Sequence, residues 1–352
     1  MAAAGIFGTE LPIIQAPMAG VQTNALAVAV CRAGGLGSLP CAMLTPATLR
    51  SELQALSAGV SGPYNVNFFC HESPVPDEGR EQRWRKLLAP YYAELGISTH
   101  ETPSGPARSP FDARALELLR EFRPRVVSFH FGLPAPDLLE PLRAWGAKIL
   151  SSATTVAEAQ WLEARGVDAV IAQGIEAGGH RGHFLTPDLT VQLSTLTLVP
   201  QIARKVRVPV IASGGIADER GVAAALALGA SAAQIGTAFL LCPEATTSAP
   251  HRAALASEAS SHTAVTNLFS GRPARGIVNR LMREHGPLRD DIPEFPLAST
   301  ALAPLRAAAE RRGSGDFSPM WSGQNAGGCR PIPAGQLVRQ LAASRAGDTL
   351  RA

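Results

Sequence analysis

Lysine is almost missing from this 352-residue chain: Lys86, Lys148 and Lys205 are the only three, so most of its basic residues are arginines. Basic and acidic residues nearly cancel, 32 against 29, for a formal net charge of +3. With no long run of either sign, the chain lacks the electrostatic footprint of a nucleic-acid binder, and none is expected as a partner. The five cysteines, Cys31, Cys41, Cys70, Cys242 and Cys329, are odd in number and form no C-x-x-C pair. That excludes a disulfide framework and a structural zinc site; reduced, buried thiols and no bound metal are expected. No apolar run approaches the ~18 residues of a membrane span, and residues 1–10 lack a basic stretch before an apolar one. No membrane contact is expected, and a cytoplasmic location follows. Also missing are G-x-x-x-x-G-K, G-x-G-x-x-G, H-E-x-x-H and G-x-S-x-G, so P-loop NTPases, Rossmann dehydrogenases, zincins and α/β-hydrolases recede.

What remains is ample material for a core. Hydrophobic residues make up 46% of the chain and charged residues 17%, the composition of a chain that folds on its own. The length fits a large α/β barrel, two ordinary domains, or a barrel carrying an extra lobe. Short apolar runs of β character recur, each ending in glycine or a small polar residue: 12–17 (PIIQAP), 36–40 (LGSLP), 64–69 (YNVNFF), 126–131 (VVSFHF), 148–153 (KILSSA), 169–174 (AVIAQG), 209–214 (PVIASG) and 232–237 (AAQIGT). Amphipathic helical patterns follow most of them, at 24–33, 45–58, 113–122, 135–145, 155–165 and 219–228. Eight near-continuous apolar strands alternating with helices predict a (β/α)8 TIM barrel rather than an open Rossmann sheet. Two stretches break the repeat. The third unit is lengthened by a charged, proline-bearing insertion at about 70–110, too long for a connection. After the eighth strand come helical material at 251–259, SGRPARG at 270–276 and a proline-rich run to residue 296. The expected organisation is a barrel over 1–248, a small mostly helical cap lobe over 249–304 with a contribution from 70–110, and a segment, 305–352, returning to the barrel through a helix at 333–344.

In such a barrel the reactive face lies at the C-terminal ends of the strands. The seventh strand runs into Ser213, Gly214 and Gly215, and the eighth into Gln234, Gly236 and Thr237. Small residues on adjacent loops let backbone N–H groups approach an anion, with a helix N-terminus behind them, which predicts a phosphorylated ligand. The sixth strand leads through Gln173 to Gly178, Gly179 and His180. Two glycines let the backbone lie flat against a planar ring and aim His180 into the mouth, making it the candidate for moving a proton or bonding a developing anion. His130, in the fourth strand, either lines the substrate pocket or satisfies a core hydrogen bond. A backbone corner at Ala16 and Met18, and Asn67 at the third strand's end, complete the candidate wall.

Taken together, QAPMAG with AGGLG, NVNFF, DAVIAQGIEAGGHRG and PVIASGGIADERGVAAALALGASAAQIGTAFL resemble the nitronate monooxygenase family, over residues 12 to about 244 and more thinly at the WSGQ of 321–324. The resemblance implies a TIM barrel that binds FMN non-covalently and oxidises alkyl nitronates or nitroalkanes with O2 to a carbonyl compound and nitrite. Carried over, Gly214, Gly215, Gly236 and Thr237 would hold the FMN phosphate. Ala16, Met18, Asn67, Gln173 and Gly178 would surround the ring and ribityl chain, and Gln324 would close the site. His180 matches the family's active-site histidine. This chain departs from the family in its pocket: family tyrosines are sparse, only Tyr64, Tyr91 and Tyr92 being present, with Phe111 and Phe295 in the corresponding neighbourhoods. Those two, with His130, are the expected substrate contacts. An FMN-dependent NAD(P)H reductase acting on an enoyl thioester or quinone shares this core, and a non-catalytic flavin-binding barrel is a third reading. A homo-oligomer is compatible with any of them.

Overall fold

The computed structural model describes residues 7–98 and 108–343. The ends of the chain and residues 99–107 of the expected insertion lie outside the described residues. Strands run β1 (Ile13–Gln15), β2 (Ser38–Pro40), β3 (Asn65–Phe69), β4 (Val126–His130), β5 (Lys148–Ala153), β6 (Ala169–Gln173), the two-residue β7 (Gly179–His180), β8 (Val210–Ser213), β9 (Ala232–Ile235), β10 (Thr263–Thr266) and β11 (Ala274–Ile277). Helices are α1 (Asn24–Arg32), α2 (Pro46–Gly59), α3 (Glu78–Leu95), α4 (Ala113–Phe122), α5 (Pro136–Ala144), α6 (Val156–Glu163), α7 (Thr195–Ala203), α8 (Glu219–Ala227), α9 (Ala249–Leu255), α10 (Arg280–His285), α11 (Ala298–Arg311) and α12 (Ala334–Ala342).

Eight strands form one parallel sheet in the order β2-β3-β4-β5-β6-β8-β9-β1. The sheet closes on itself where Leu36 N–H donates to the Ile13 carbonyl and Gln15 N–H to the Leu36 carbonyl, both at 2.9 Å. The fold is therefore the expected TIM barrel, and each of the eight predicted runs contains one of its strands. Within a strand, successive side chains face opposite ways. Val126, Leu150, Ile171 and Ile211 meet in one buried cluster inside the barrel with Ile14 and Leu36. Their neighbours Val127, Ile149, Val170 and Val210 pack outward against Leu53, Leu119, Leu142, Leu162 and Leu198 of the helices. Burial on both faces explains why the strands read as unbroken apolar runs.

The helices α3 and α7, like the short α10, were not legible in the sequence. The α3 helix falls in the stretch expected to be a charged insertion, and α7 falls in a Thr-rich segment; each carries an internal proline, Pro90 and Pro200. Proline disfavours a helix interior. Burial of Trp84, Leu88, Tyr91, Tyr92 and Leu95 in α3, and of Leu198, Val199 and Ile202 in α7, outweighs that cost.

The insertion and the segment after β9 build one lobe with its own core, in which Trp84, Leu88 and Tyr92 of α3 meet Leu302, Leu305 and Ala309 of α11 and Phe269 and Phe317. Both halves of α11 belong to this core, so the boundary expected at 304/305 falls inside a helix. The lobe is not purely helical: β10, β11 and β7 form a three-stranded antiparallel sheet. After it α12 packs between α8 and α1 with Leu337, Val338 and Leu341 buried. The lobe is thus inserted between the eighth barrel strand and the eighth outer helix. Among the described residues no helix is long and apolar enough to cross a membrane.

Trp84 is 2% exposed, and its indole N–H donates to the Ala298 carbonyl at 3.0 Å. Trp84→Ala should cost about 3–5 kcal/mol of stability. Amide hydrogen exchange should quicken in α3 and α11 while β4 to β6 keep their protection; uniform loosening of the barrel would contradict an independent lobe core.

Candidate active site

At the C-terminal mouth of the barrel, beneath the lobe, a cleft encloses about 1360 Å³ of empty space, its open mouth included. It is lined by Ala16 and Met18 after β1, Asn67 of β3, His130 ending β4, and Gln173, Gly178, Gly179 and His180 after β6. Across it stand Ser213, Gly214 and Gly215 after β8 and Gln234, Gly236 and Thr237 of β9 and its exit. Residues scattered over more than two hundred positions thus meet in one cavity.

Glycine shapes two of its walls. A Cβ on Gly178 would sit 2.5 Å from the Gly323 nitrogen, and Gly179 has φ +73° with nothing within 4 Å of its Cβ position. Both positions exclude other residues, one by close backbone approach and the other by its left-handed conformation. Gly214 and Gly215 also have positive φ, 124° and 71°. Behind them α8 begins, capped by Asp218, which accepts from the Gly221 N–H at 2.8 Å. The glycine loops themselves are what an anion would meet.

His180 is the most constrained side chain in the cleft. The strand β7 pairs with β11, placing His180 opposite Ala274 of the lobe. Its carbonyl accepts from Gln173 Nε2 at 2.9 Å and from His130 Nε2 at 3.1 Å. His130 Nδ1 in turn accepts from the Ser152 hydroxyl at 2.9 Å, which assigns its tautomer. His130 thus both lines the pocket and satisfies a buried hydrogen bond. Gln173 commits its other end as well, Oε1 accepting from the Gly182 N–H at 2.7 Å, so it ties the His180 loop to β6.

The His180 ring lies against Phe295 and Trp321, with centroids 5.2 and 5.4 Å away, and against Phe69 and Phe131, both at 6.2 Å. Its Nε2 is 2.8 Å from Ser270 Oγ. Burial, chiefly, and then the positive charge of Arg108 hold its pKa well below the ordinary histidine value. The imidazole is therefore neutral near pH 7. Phe295 stands where substrate contact was expected, in a cluster with Phe69, Phe131 and Ala42. Phe111 does not: it packs with Phe68 and Phe129 between barrel wall and helices. Gln324 also stays out of the cleft; its side chain is exposed and only its N–H is used, donating to the Glu176 carbonyl at 3.0 Å. Its neighbours Gly323 and Asn325 line the cleft instead.

Among the cleft and cage residues that escaped sequence reasoning are Trp321, Arg108, Ser270 and His71. Trp321 is the first residue of the recognised WSGQ, so the motif itself was a usable signal. Arg108 and His71, beside Pro110 and Phe69 at the end of β3, and Ser270 of the lobe carried no such motif signal. Arg108 lines the cleft and its Nη1 donates to Ser299 Oγ at 3.1 Å. His71 stands edge-on to Phe295 at 4.7 Å between ring centroids. Among the described residues no three His, Cys, Asp or Glu side chains form a metal-binding group.

The nitronate monooxygenase family model matches residues 2–344. The chain belongs to the nitronate monooxygenase family. Within it, the chain is 44% identical over 338 residues to a nitronate monooxygenase of Pseudomonas aeruginosa, covering 96% of each. It is equally similar, at 44%, to one of Paraburkholderia phytofirmans, over 96% of this chain and 92% of that one. The structure resembles that of nitroalkane oxidase from Streptomyces ansochromogenes with a TM-score of 0.88 and 39% identity over 97% of each chain. FabK from Thermotoga maritima shares the fold at a TM-score of 0.69 and 27% identity, over 97% of this chain and 94% of that one.

Burial also depresses His71, His183 and His251 to about 4 and His130 to about 3. Below the unfolded value of about 6.5 the unfolded chain binds protons that the folded one does not, so stability falls as pH falls. The melting temperature should drop between pH 7.5 and pH 5; a flat or rising profile would show these histidines to be charged in the fold.

Proposed function

We propose that this protein oxidises alkyl nitronates with O2 to a carbonyl compound and nitrite, using FMN held in the cleft. The observation that carries the reading is His180: a neutral imidazole, walled by aromatic rings, at the side of a glycine-lined cleft in a chain of this family.

The residues present fit FMN. Gln234 Oε1 is buried in the cleft wall without a partner, an acceptor for a ribityl hydroxyl or ring N–H. In this reading Gly214, Gly215, Gly236 and Thr237 receive the phosphate, and Ala16, Met18, Asn67 and the Gly178–Gly179 wall face the ring and ribityl chain. Ser213 lines the same side. Bound FMN supplies a two-electron acceptor that O2 can reoxidise.

Ser270 decides what His180 can do. The Ser270 hydroxyl reaches the Arg272 carbonyl at 3.3 Å as well as His180 Nε2 at 2.8 Å. When it donates to the carbonyl it accepts from Nε2–H, and Nδ1 is a bare lone pair able to take the α-proton of a neutral nitroalkane. When it turns and donates to Nε2, the proton moves to Nδ1, which then donates to a nitronate oxygen. The depressed pKa makes the first role the weaker, because a buried imidazolium is costly. The pre-formed nitronate is the better substrate.

Anaerobic stopped-flow mixing with propyl nitronate, and separately with NADH or NADPH, tests the reading. Bleaching of the flavin by nitronate alone, with nitrite formed once air enters, is expected. Bleaching only by the nicotinamide would move the assignment to a reductase of enoyl thioesters or quinones, and no bleaching by either to a non-catalytic flavin barrel. His180→Asn, which keeps a donor and loses the base, should abolish oxidation of neutral nitroalkane yet spare part of the activity on nitronate. Equal loss on both would rule out the base role.

A further inference from the structure

Arg108 is a half-buried cation at the reactive end of the cleft, and among the described residues no carboxylate pairs with it. Its place is set by β3: Pro110 bridges to Phe69, and the Phe111 N–H donates to the Phe69 carbonyl at 2.8 Å. The guanidinium lines the cleft with His180 and Phe69. Its hydrogen bond goes to a neutral partner, Ser299 Oγ, which itself donates to the Pro296 carbonyl at 2.7 Å. None of the ion pairs among the described residues includes Arg108 or Arg272. Arg272 lies 4.0 Å over the Phe131 ring, with Nε buried and unpartnered. His71, 7% exposed, lies edge-on to Phe295 at the same end of the cleft. Burying a guanidinium costs several kcal/mol unless a charge or strong acceptors compensate it. Among the described residues no side chain supplies that charge, and an anionic ligand in the cleft would.

We infer that Arg108 is the specificity-determining residue that selects an anionic over a neutral substrate at this site. The inference rests on the nitronate reading for the identity of the anion, not for its charge. A nitronate spreads one negative charge over two coplanar oxygens, the geometry a guanidinium fork matches with parallel N–H···O bonds. A neutral nitroalkane of the same shape offers no net charge for Arg108 to meet, so the contact favours the anion and adds nothing for the neutral form. His180 then bonds an oxygen of an anion that Arg108 has already placed.

Calorimetric titration of the full chain with butanoate, an inert planar carboxylate, and with the neutral butanamide tests this independently of turnover. Wild type should prefer butanoate. Arg108→Gln should weaken butanoate binding about 10- to 100-fold, the scale of a lost hydrogen bond to a charged group, and leave butanamide binding unchanged. Arg108→Lys should keep much of the butanoate affinity, because the charge persists without the fork. In turnover, Arg108→Gln should raise KM for propyl nitronate and leave KM for 1-nitropropane unaltered. No preference for butanoate in wild type, equal weakening of both ligands, or no weakening of either would overturn the inference. Wild type that prefers butanoate but is not reduced by nitronate would sink the oxidation reading alone.

Discussion

The two-residue pairing of β7 with β11 joins the barrel to the lobe at the reactive histidine, and the rest of the site depends on it. His180 and Gly179 leave the sixth barrel strand, yet their backbone partners are Ala274 and Arg275 of the lobe hairpin. The next residue continues the seam, Arg181 N–H donating to the Pro273 carbonyl at 2.8 Å. On the other side the His180 carbonyl is held by Gln173 and His130 from the barrel wall. A side chain fixed by two bodies at once loses little entropy when a ligand arrives. It also cannot move without disturbing both.

The returning segment after the lobe works as a second seam. Gly323 N–H donates to Thr237 Oγ1 at 2.9 Å, Asn325 Nδ2 to the Gly215 carbonyl at 2.9 Å, and Gln324 N–H to the Glu176 carbonyl at 3.0 Å. Three strand-end loops are stitched together by three consecutive residues. The close approach that forces glycine at position 178 is to this segment. The same chain then delivers α12 to the outer ring of helices, so closing the site and completing the barrel are one event in the topology.

The chemistry of the pocket follows from the aromatic wall around its histidine. Phe69, Phe131, Phe295 and Trp321 crowd His180, and apolar neighbours lower the local dielectric and strengthen charge interactions there. In that medium histidines stay neutral while arginines stay charged, even though burial pulls Arg108 and Arg272 down to about 10. A neutral donor or acceptor beside fixed positive charge suits an anion better than it suits proton abstraction.

Much of this was legible from the chain alone. Eight apolar runs reported the barrel because both faces of each strand are buried, and the glycine pairs at 178–179 and 214–215 reported the cleft because only glycine meets those backbone demands. His180, the Asn67 corner and the loop after β9 followed from where strands end. Tertiary structure alone decided the rest. Phe111 and Phe295 are both phenylalanines in the extension and cap, and only packing sends one to the core and the other to His180. Gln324 was chosen over Gly323 and Asn325 because side-chain type, not backbone contact, is what a sequence displays. Arg108, His71 and Ser270 joined the site through contacts between distant segments, and local periodicity carries no information about which distant segments will meet.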